Sequence, residues 1–235
     1  TEAESSGISR YIHGIQHVSR VALYVCVFAN LYRKHGDPKA LTLSDDDIKL
    51  LQIAALFHDA AREDEGEDKW DHESALMLYF YLTKTLHVDK IKAKLIAEAT
   101  ANKDLSPNNG FFKIKEDTNG RVSWYFKKNF SKELNKKNIY QKIIHDADCL
   151  DIIRARPHFD AKYLDFYQEI ASKENHLAKR EMAHLICEAR SLIHIQGDAY
   201  LNTESEVKEY YENKDAYIKI ISDINNDTHP IIHEL

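Results

Sequence analysis

Apolar residues recur at a helical interval along most of this chain. Ile12, Ile15, Val18, Val21, Ala22, Val25, Phe28, Ala29 and Tyr32 keep the spacing of one amphipathic helix, predicted over residues 8–34. His-Gly-Asp-Pro at 35–38 ends it. Ser44 with Asp47 has the form of a capping box and predicts a second helix over 45–61. Its apolar face leads directly into His58 and Asp59. The acidic, glycine-containing stretch 62–69 reads as a loop. A third helix starts near Asp71 and carries Ala75, Leu76, Leu78, Tyr79 and Leu82, and a fourth spans 89–100.

The period changes after the turn formers at 102–110. Phe-Phe-Lys-Ile-Lys and Arg-Val-Ser-Trp-Tyr-Phe flank Glu-Asp-Thr-Asn-Gly. This pattern predicts a small β-hairpin near residues 111–127, turning at Asn119-Gly120. Helical spacing resumes over 138–155, 161–172, 175–195 and 204–224. The expected fold is therefore all-α, a helical bundle with the hairpin as an insertion. No domain boundary is visible, so residues 1–235 read as one domain. The chain starts without Met and reaches helical pattern almost at once, as a fragment of a longer protein would.

Composition narrows the function. The chain is 43% hydrophobic and 30% charged, enough apolar residue for a real core, and its 7 Gly and 4 Pro suit long helices. A formal charge of −6 gives no general field for a polyanion, which argues against nucleic acid as a partner. No stretch approaches the roughly 18 uninterrupted apolar residues of a membrane span. Cys26, Cys149 and Cys187 lie in apolar helical patterns without pairing or zinc spacing, and read as reduced, buried thiols.

Histidines and carboxylates carry the candidate chemistry. His13 and His17 are four residues apart and share a helix face. Gly14 between them costs helix stability by roughly 1 kcal/mol relative to Ala, a cost that close approach of a ligand would explain. His58 and Asp59 end an apolar helix, where charge must be paired or ligated. The bland reading of the pair is a helix-terminal His with a capping Asp. His72 and Glu73 open the third helix, where an acidic residue already meets the helix dipole favourably. In His145-Asp-Ala-Asp-Cys-Leu-Asp151, the apolar spacing of Ile143, Ile144, Leu150, Ile152 and Ile153 puts Asp146 or Asp148 near the buried face. A carboxylate there needs a metal, an arginine or several donors. Arg154 follows, able to form a salt bridge or clamp a phosphate.

The order His…His-Asp…Asp on separate helices resembles the HD-domain phosphohydrolases, with His17, His58, Asp59 and Asp146 at the four motif positions. In that family such side chains bind a divalent metal that activates water against a phosphate ester. Two His and two carboxylates suit Mn, Fe or Zn. The motifs His-Gly-Ile-Gln-His-Val-Ser-Arg, Phe-His-Asp-Ala-Ala-Arg-Glu-Asp-Glu, Trp-Asp-His-Glu-Ser-Ala and His-Asp-Ala-Asp-Cys-Leu-Asp-Ile-Ile-Arg narrow the match. They resemble the phosphodiesterase domain of the SidE-type effectors of Legionella and the related Dup deubiquitinases.

That resemblance implies an HD-like helical bundle acting on ubiquitin that carries ADP-ribose or phosphoribose. It implies transfer of phosphoribosyl-ubiquitin to serine, or its removal, in the host cell cytosol. It implies chemistry without metal or other cofactor, through a histidine that transiently accepts the phosphoryl group. Carried over by position, His13 is the candidate nucleophile with His17 beside it. His145 is the candidate second histidine, with His158 as a rival, and the supporting glutamate is Glu63 or Glu73. Arg20, Arg62 and Arg154 are candidate phosphate holders, with His58, Asp59, His72 and Asp146 lining the site. A metal-dependent nucleotide phosphohydrolase using His17, His58, Asp59 and Asp146 is the alternative. A weakly catalytic module binding AMP or ADP-ribose on the same fold is a third.

Overall fold

A computed structural model describes residues 14–63, 70–104, 110–128, 137–154, 159–173 and 175–196. His13, His158 and the helix expected over 204–224 lie outside the described residues. Helix α1 (Ile15–Lys34) is the central element, packed between α2 (Asp45–Phe57) and α5 (Ile139–Asp151). Val21, Val25, Phe28, Ala29 and Tyr32 are fully buried along its inner stripe, while Ile15 is exposed. Facing them from α5 come Ile143, Ile144, Ala147 and Leu150. Helices α3 (Asp71–Phe80) and α4 (Lys90–Ala101) pair with each other, and α4 also meets α5. Helix α6 (His176–Gln196) packs near the chain that follows α5.

Local chemistry sets the helix starts. Ser44 accepts from the Asp47 amide and the Asp47 carboxylate accepts from the Ser44 amide, closing the expected capping box. Asn138 and Gln141 close a second box at the start of α5. Asp89 caps α4 by accepting from the amides of Ile91 and Lys92.

The hairpin forms where expected, from β1 (Phe111–Glu116) and β2 (Val122–Lys127), with Ile114 opposite Trp124 and Phe112 opposite Phe126. Its turn differs from the simple Asn-Gly form. The Gly120 amide donates to the Asp117 carbonyl, and the Asp117 carboxylate accepts from the amides of Asn119 and Arg121. Gly120 then takes the left-handed conformation at φ 75°, which closes the loop one residue later. Strand β1 packs on α4 and β2 on α3.

Three elements depart from their expected form. Helix α2 stops at Phe57 rather than running to 61, and residues 58–61 form a tight turn. The third helix gives way to a π-helical turn at Tyr81–Thr85. The helix expected over 161–172 is broken into a 3-10 turn at Ala161–Tyr163, an extended Leu164 and a π turn at Tyr167–Ala171.

Asp146 explains the last break. Its buried carboxylate accepts from the Asp165 amide at 2.6 Å, the Phe166 amide at 3.0 Å and the Tyr32 hydroxyl at 2.8 Å. Amides used this way cannot continue a helix begun at Ala161. Burial, against the opposing pull of His145, Tyr32 and the Phe166 amide, pushes the Asp146 carboxyl up to about 7. The expectation that Asp146 holds the fourth motif position is therefore corrected: it clamps the chain after α5 onto α1. Residues two apart on a helix project to nearly opposite sides, so Asp146 and Asp148 face different neighbours. Asp146→Ala is expected to lower unfolding stability by ~1–3 kcal/mol, because buried amides lose their acceptor. Urea unfolding measures it, and unchanged stability with lost activity would return Asp146 to the site.

Candidate functional site

Helix α1 delivers His17 to the end of α2, where the early stop at Phe57 turns His58 and Asp59 inward. Asp148 arrives from α5. His17 Nε2 lies 3.2 Å from His58 Nε2, 3.4 Å from Asp59 Oδ2 and 3.4 Å from Asp148 Oδ1. His58 Nε2 lies 3.4 Å from Asp59 Oδ2 and 3.3 Å from Asp148 Oδ1. His17 and His58 are each 1% exposed and Asp59 is 3% exposed, so the cluster sits at the bottom of the site.

The outer nitrogens of both rings are committed. His17 Nδ1 lies 2.7 Å from Asp151, and His58 Nδ1 lies 2.6 Å from the Ala55 carbonyl. Both partners only accept, so both Nδ1 atoms carry protons and donate. The Nε2 atoms therefore meet with at most one ordinary lone pair tolerable between them, and a proton or a cation must lie there. Burial favours a neutral His17, as does Arg154, but contacts with Asp148, Asp151 and Asp59 outweigh them and raise its pKa to about 10. His58 is raised too, burial being outweighed by Asp59 and Asp148.

The same geometry passes a test for a metal. Ligand atoms at ~2.0–2.2 Å from a tetrahedral ion are roughly 3.3–3.6 Å apart. The triangle of His17 Nε2, His58 Nε2 and Asp148 Oδ1 has edges of 3.2, 3.4 and 3.3 Å, each at or close to that range. His17, His58 and Asp148 could hold a divalent ion, with Asp151 as the carboxylate behind His17.

Asp151 anchors the site from below. Fully buried, it accepts from Arg20 Nε at 2.6 Å, Arg20 Nη2 at 2.9 Å, Arg154 Nη1 at 3.1 Å and His17. Arg20 and Arg154, expected to hold phosphate, are 1% and 5% exposed and support this carboxylate instead. Arg62 lies 3.7 Å from Asp59 and over the Trp70 ring.

At the site's edge, Lys103 follows α4. Its ammonium, 1% exposed, lies 2.9 Å from Asp148 Oδ2 and 3.6 Å from Asp71, and pairs with Asp104. Asp104 accepts from His145 Nδ1 at 2.7 Å, and His145 Nε2 lies 3.1 Å from the Tyr163 carbonyl. Both partners of this ring are acceptors, which makes His145 an imidazolium. Burial opposes that charge, but Asp104 and Cys149 raise the His145 pKa to about 11.

His72 lies elsewhere, under the hairpin. Its ring stacks on Phe112 at 5.0 Å and meets the Trp124 edge-on, while Nε2 is 2.6 Å from Glu73. Glu63 is exposed at the end of the turn that follows α2. The structure thus gathers His17, His58, Asp59, Arg20 and Arg154, and links His145 to them through Asp104, Lys103 and Asp148. Asp148, Asp151, Lys103 and Asp104 are the additions. Asp148 and Asp151 are three residues apart and so share a helix face, a signal legible in the sequence. Nothing in the local pattern singles out Lys103 or Asp104.

A family model described as the SidE phosphodiesterase (PDE) domain matches residues 1–206. No curated protein and no solved structure matches the chain. Among the described residues, no helix is long and apolar enough to cross a membrane.

Asp151→Asn would remove the buried carboxylate that two buried guanidiniums share. It is expected to cost ~3–5 kcal/mol of stability, read by urea unfolding. A cost below about 1 kcal/mol, the range of an exposed pair, would show that Asp151 is not the anchor.

Proposed function

We propose, from the premise that the chain belongs to the SidE phosphodiesterase domain family, that its substrate is ubiquitin carrying ADP-ribose or phosphoribose on an arginine. This phosphodiesterase cleaves the phosphodiester or pyrophosphate bond through a covalent histidine intermediate. It passes phosphoribosyl-ubiquitin to a serine hydroxyl or to water, within the host cell cytosol.

The observation that carries this reading is the placement of His145 between two acceptors, the Asp104 carboxylate and the Tyr163 carbonyl, which favour its imidazolium form. An imidazolium at the rim is a general acid for a leaving oxygen. His13, four residues before His17, is assigned the nucleophile's role by the family alone. Its neutral imidazole attacks phosphorus, a nitrogen–phosphorus bond forms, and the phosphorus–oxygen bond breaks. The leaving oxygen takes the proton from His145 Nε2, replacing the Tyr163 carbonyl as the acceptor of that N–H. A serine hydroxyl or water then attacks phosphorus, the nitrogen–phosphorus bond breaks, and its proton returns to His145. Glu63 or Glu73 supports the nucleophile.

A second reading is favoured by the near-tetrahedral spacing of ligand atoms on His17, His58 and Asp148. A divalent ion bound there would activate water against a nucleotide phosphate ester, as in the HD-type phosphohydrolases. His17 and His58 would then hold the ion, and Lys103 would orient Asp148.

Incubation with ADP-ribosylated ubiquitin, followed by intact mass and AMP release, tests the first reading. AMP is expected to be released, with His13→Ala and His145→Ala each reducing the rate at least ~100-fold while circular dichroism is unchanged. An undiminished rate in His13→Ala removes that residue from the mechanism. Metal analysis and chelation decide between the two readings. Activity that survives EDTA in metal-free protein supports the first, and activity restored only by added Mn, Fe or Zn supports the second. Calorimetric uptake of AMP or ADP-ribose without turnover of any of these substrates would leave only a binding module.

A further inference from the structure

We infer that Lys103 and Asp104 are the positioning pair for His145, with Asp104 holding the ring and Lys103 tying Asp104 to Asp148. The inference rests on the reading of His145 as the acid. It adds two residues that touch neither the buried cluster's histidines nor the bond being broken.

A buried ammonium is costly to keep without partners. Lys103 is 1% exposed, yet three carboxylates surround it: Asp71 from the start of α3, Asp104 beside it, and Asp148 from α5. Asp148 turns one oxygen to Lys103 and the other to His17 and His58. The ammonium therefore joins the cluster to the strap that carries Asp104.

That strap is itself braced. Asn102 donates to the carbonyls of Glu98 at 2.5 Å and Phe112 at 2.9 Å, and accepts from the Phe112 amide at 2.7 Å. The Gln141 side chain donates to the Asn102 carbonyl at 3.4 Å. The residue before Lys103 is thereby pinned to α4, β1 and α5 together. This gives the hairpin a use: it fixes where Lys103 and Asp104 stand.

The groups facing the His145 ring come from three elements. Asp104 comes from the strap, Cys149 and Asp146 from its own helix, and Asp165 from the chain after Leu164. Asp165 is balanced by Lys137 at 2.9 Å, and Asp146 is engaged with Tyr32 and two amides. Asp104 is the one whose carboxylate accepts directly from a ring nitrogen, at 2.7 Å. A carboxylate there fixes the tautomer and keeps the ring charged. When Nε2 gives up its proton, Nδ1–H stays on Asp104, so the ring is ready to be recharged.

The pH limb follows by sign. Asp104 raises the affinity of His145 for its proton, so the acid form survives from neutral pH upward and is lost only as pH rises towards about 11. Without the carboxylate, the acid form is lost nearer the ordinary histidine value of about 6.5.

The test uses Asp104→Asn, Lys103→Met, Lys103→Arg and His145→Gln in the full chain, with ADP-ribosylated ubiquitin as substrate. Asp104→Asn is expected to lower kcat ~10–100-fold, as loss of a group orienting a reactive histidine does, with KM changed less than about threefold. Its alkaline limb should move down towards about pH 7. NMR titration of the His145 ring, which needs no substrate, should show the same fall. Lys103→Met should lower kcat similarly, and Lys103→Arg should restore much of it. An unchanged His145 titration and pH profile in Asp104→Asn would overturn the pairing, whatever the rate. If His145→Gln is fully active, the acid assignment falls and the positioning role falls with it. If His145→Gln is inactive but Asp104→Asn matches wild type, only the positioning role fails.

Discussion

The site depends on one buried carboxylate. Asp151 accepts from His17, Arg20 and Arg154 at once, and none of these groups could be so buried without it. Arg20 is among the largest fully buried side chains. Two guanidiniums in the core are made tolerable in good part by a carboxylate that meets them with charged hydrogen bonds. The same carboxylate holds the Nδ1 proton of His17, which aims Nε2 at His58. Geometry at the cluster is thus set from behind, by a residue that never reaches the substrate.

A second chain of contacts runs outward from that base. Asp148 links the two histidines to Lys103, Lys103 pairs with Asp104, and Asp104 holds His145. Carboxylates and cations alternate along it, so each charge meets the opposite charge. At its buried inner end, from His17 and His58 through Asp148 to Lys103, such a series is stiff, because displacing one member leaves the next charge unpaired. The hairpin and Asn102 brace its middle, and α1 and α5 carry its inner end. His145 and the cluster are therefore kept in fixed relation by side chains from α1, α5, the turn after α2 and the strap after α4.

Periodicity made most of the helices and the hairpin legible, because amphipathic spacing reports which face is buried. It was blind where a side chain competes for the backbone. The break after Ala161 comes from the Asp146 carboxylate taking two amides, a contact between residues about twenty apart. The early end of α2 is of the same kind. His58 and Asp59 converge because the helix stops, which a continuous apolar pattern up to Phe57 does not announce.

In the site, the sequence by itself determined the chemistry of the parts: histidines and carboxylates in an order that points to phosphate esters, and the family model is that of a phosphodiesterase domain. It also contained the spacing that separates Asp146 from Asp148, since helix neighbours two apart diverge while Asp148 and Asp151 share a face. Only the tertiary structure decided which carboxylate joins the histidines, that Arg20 and Arg154 serve Asp151 rather than phosphate, and that Lys103 and Asp104 belong to the site at all. The physical reason is burial. A charge in water needs no particular partner, whereas a charge in the core must have one, and which one is available depends on how the helices pack.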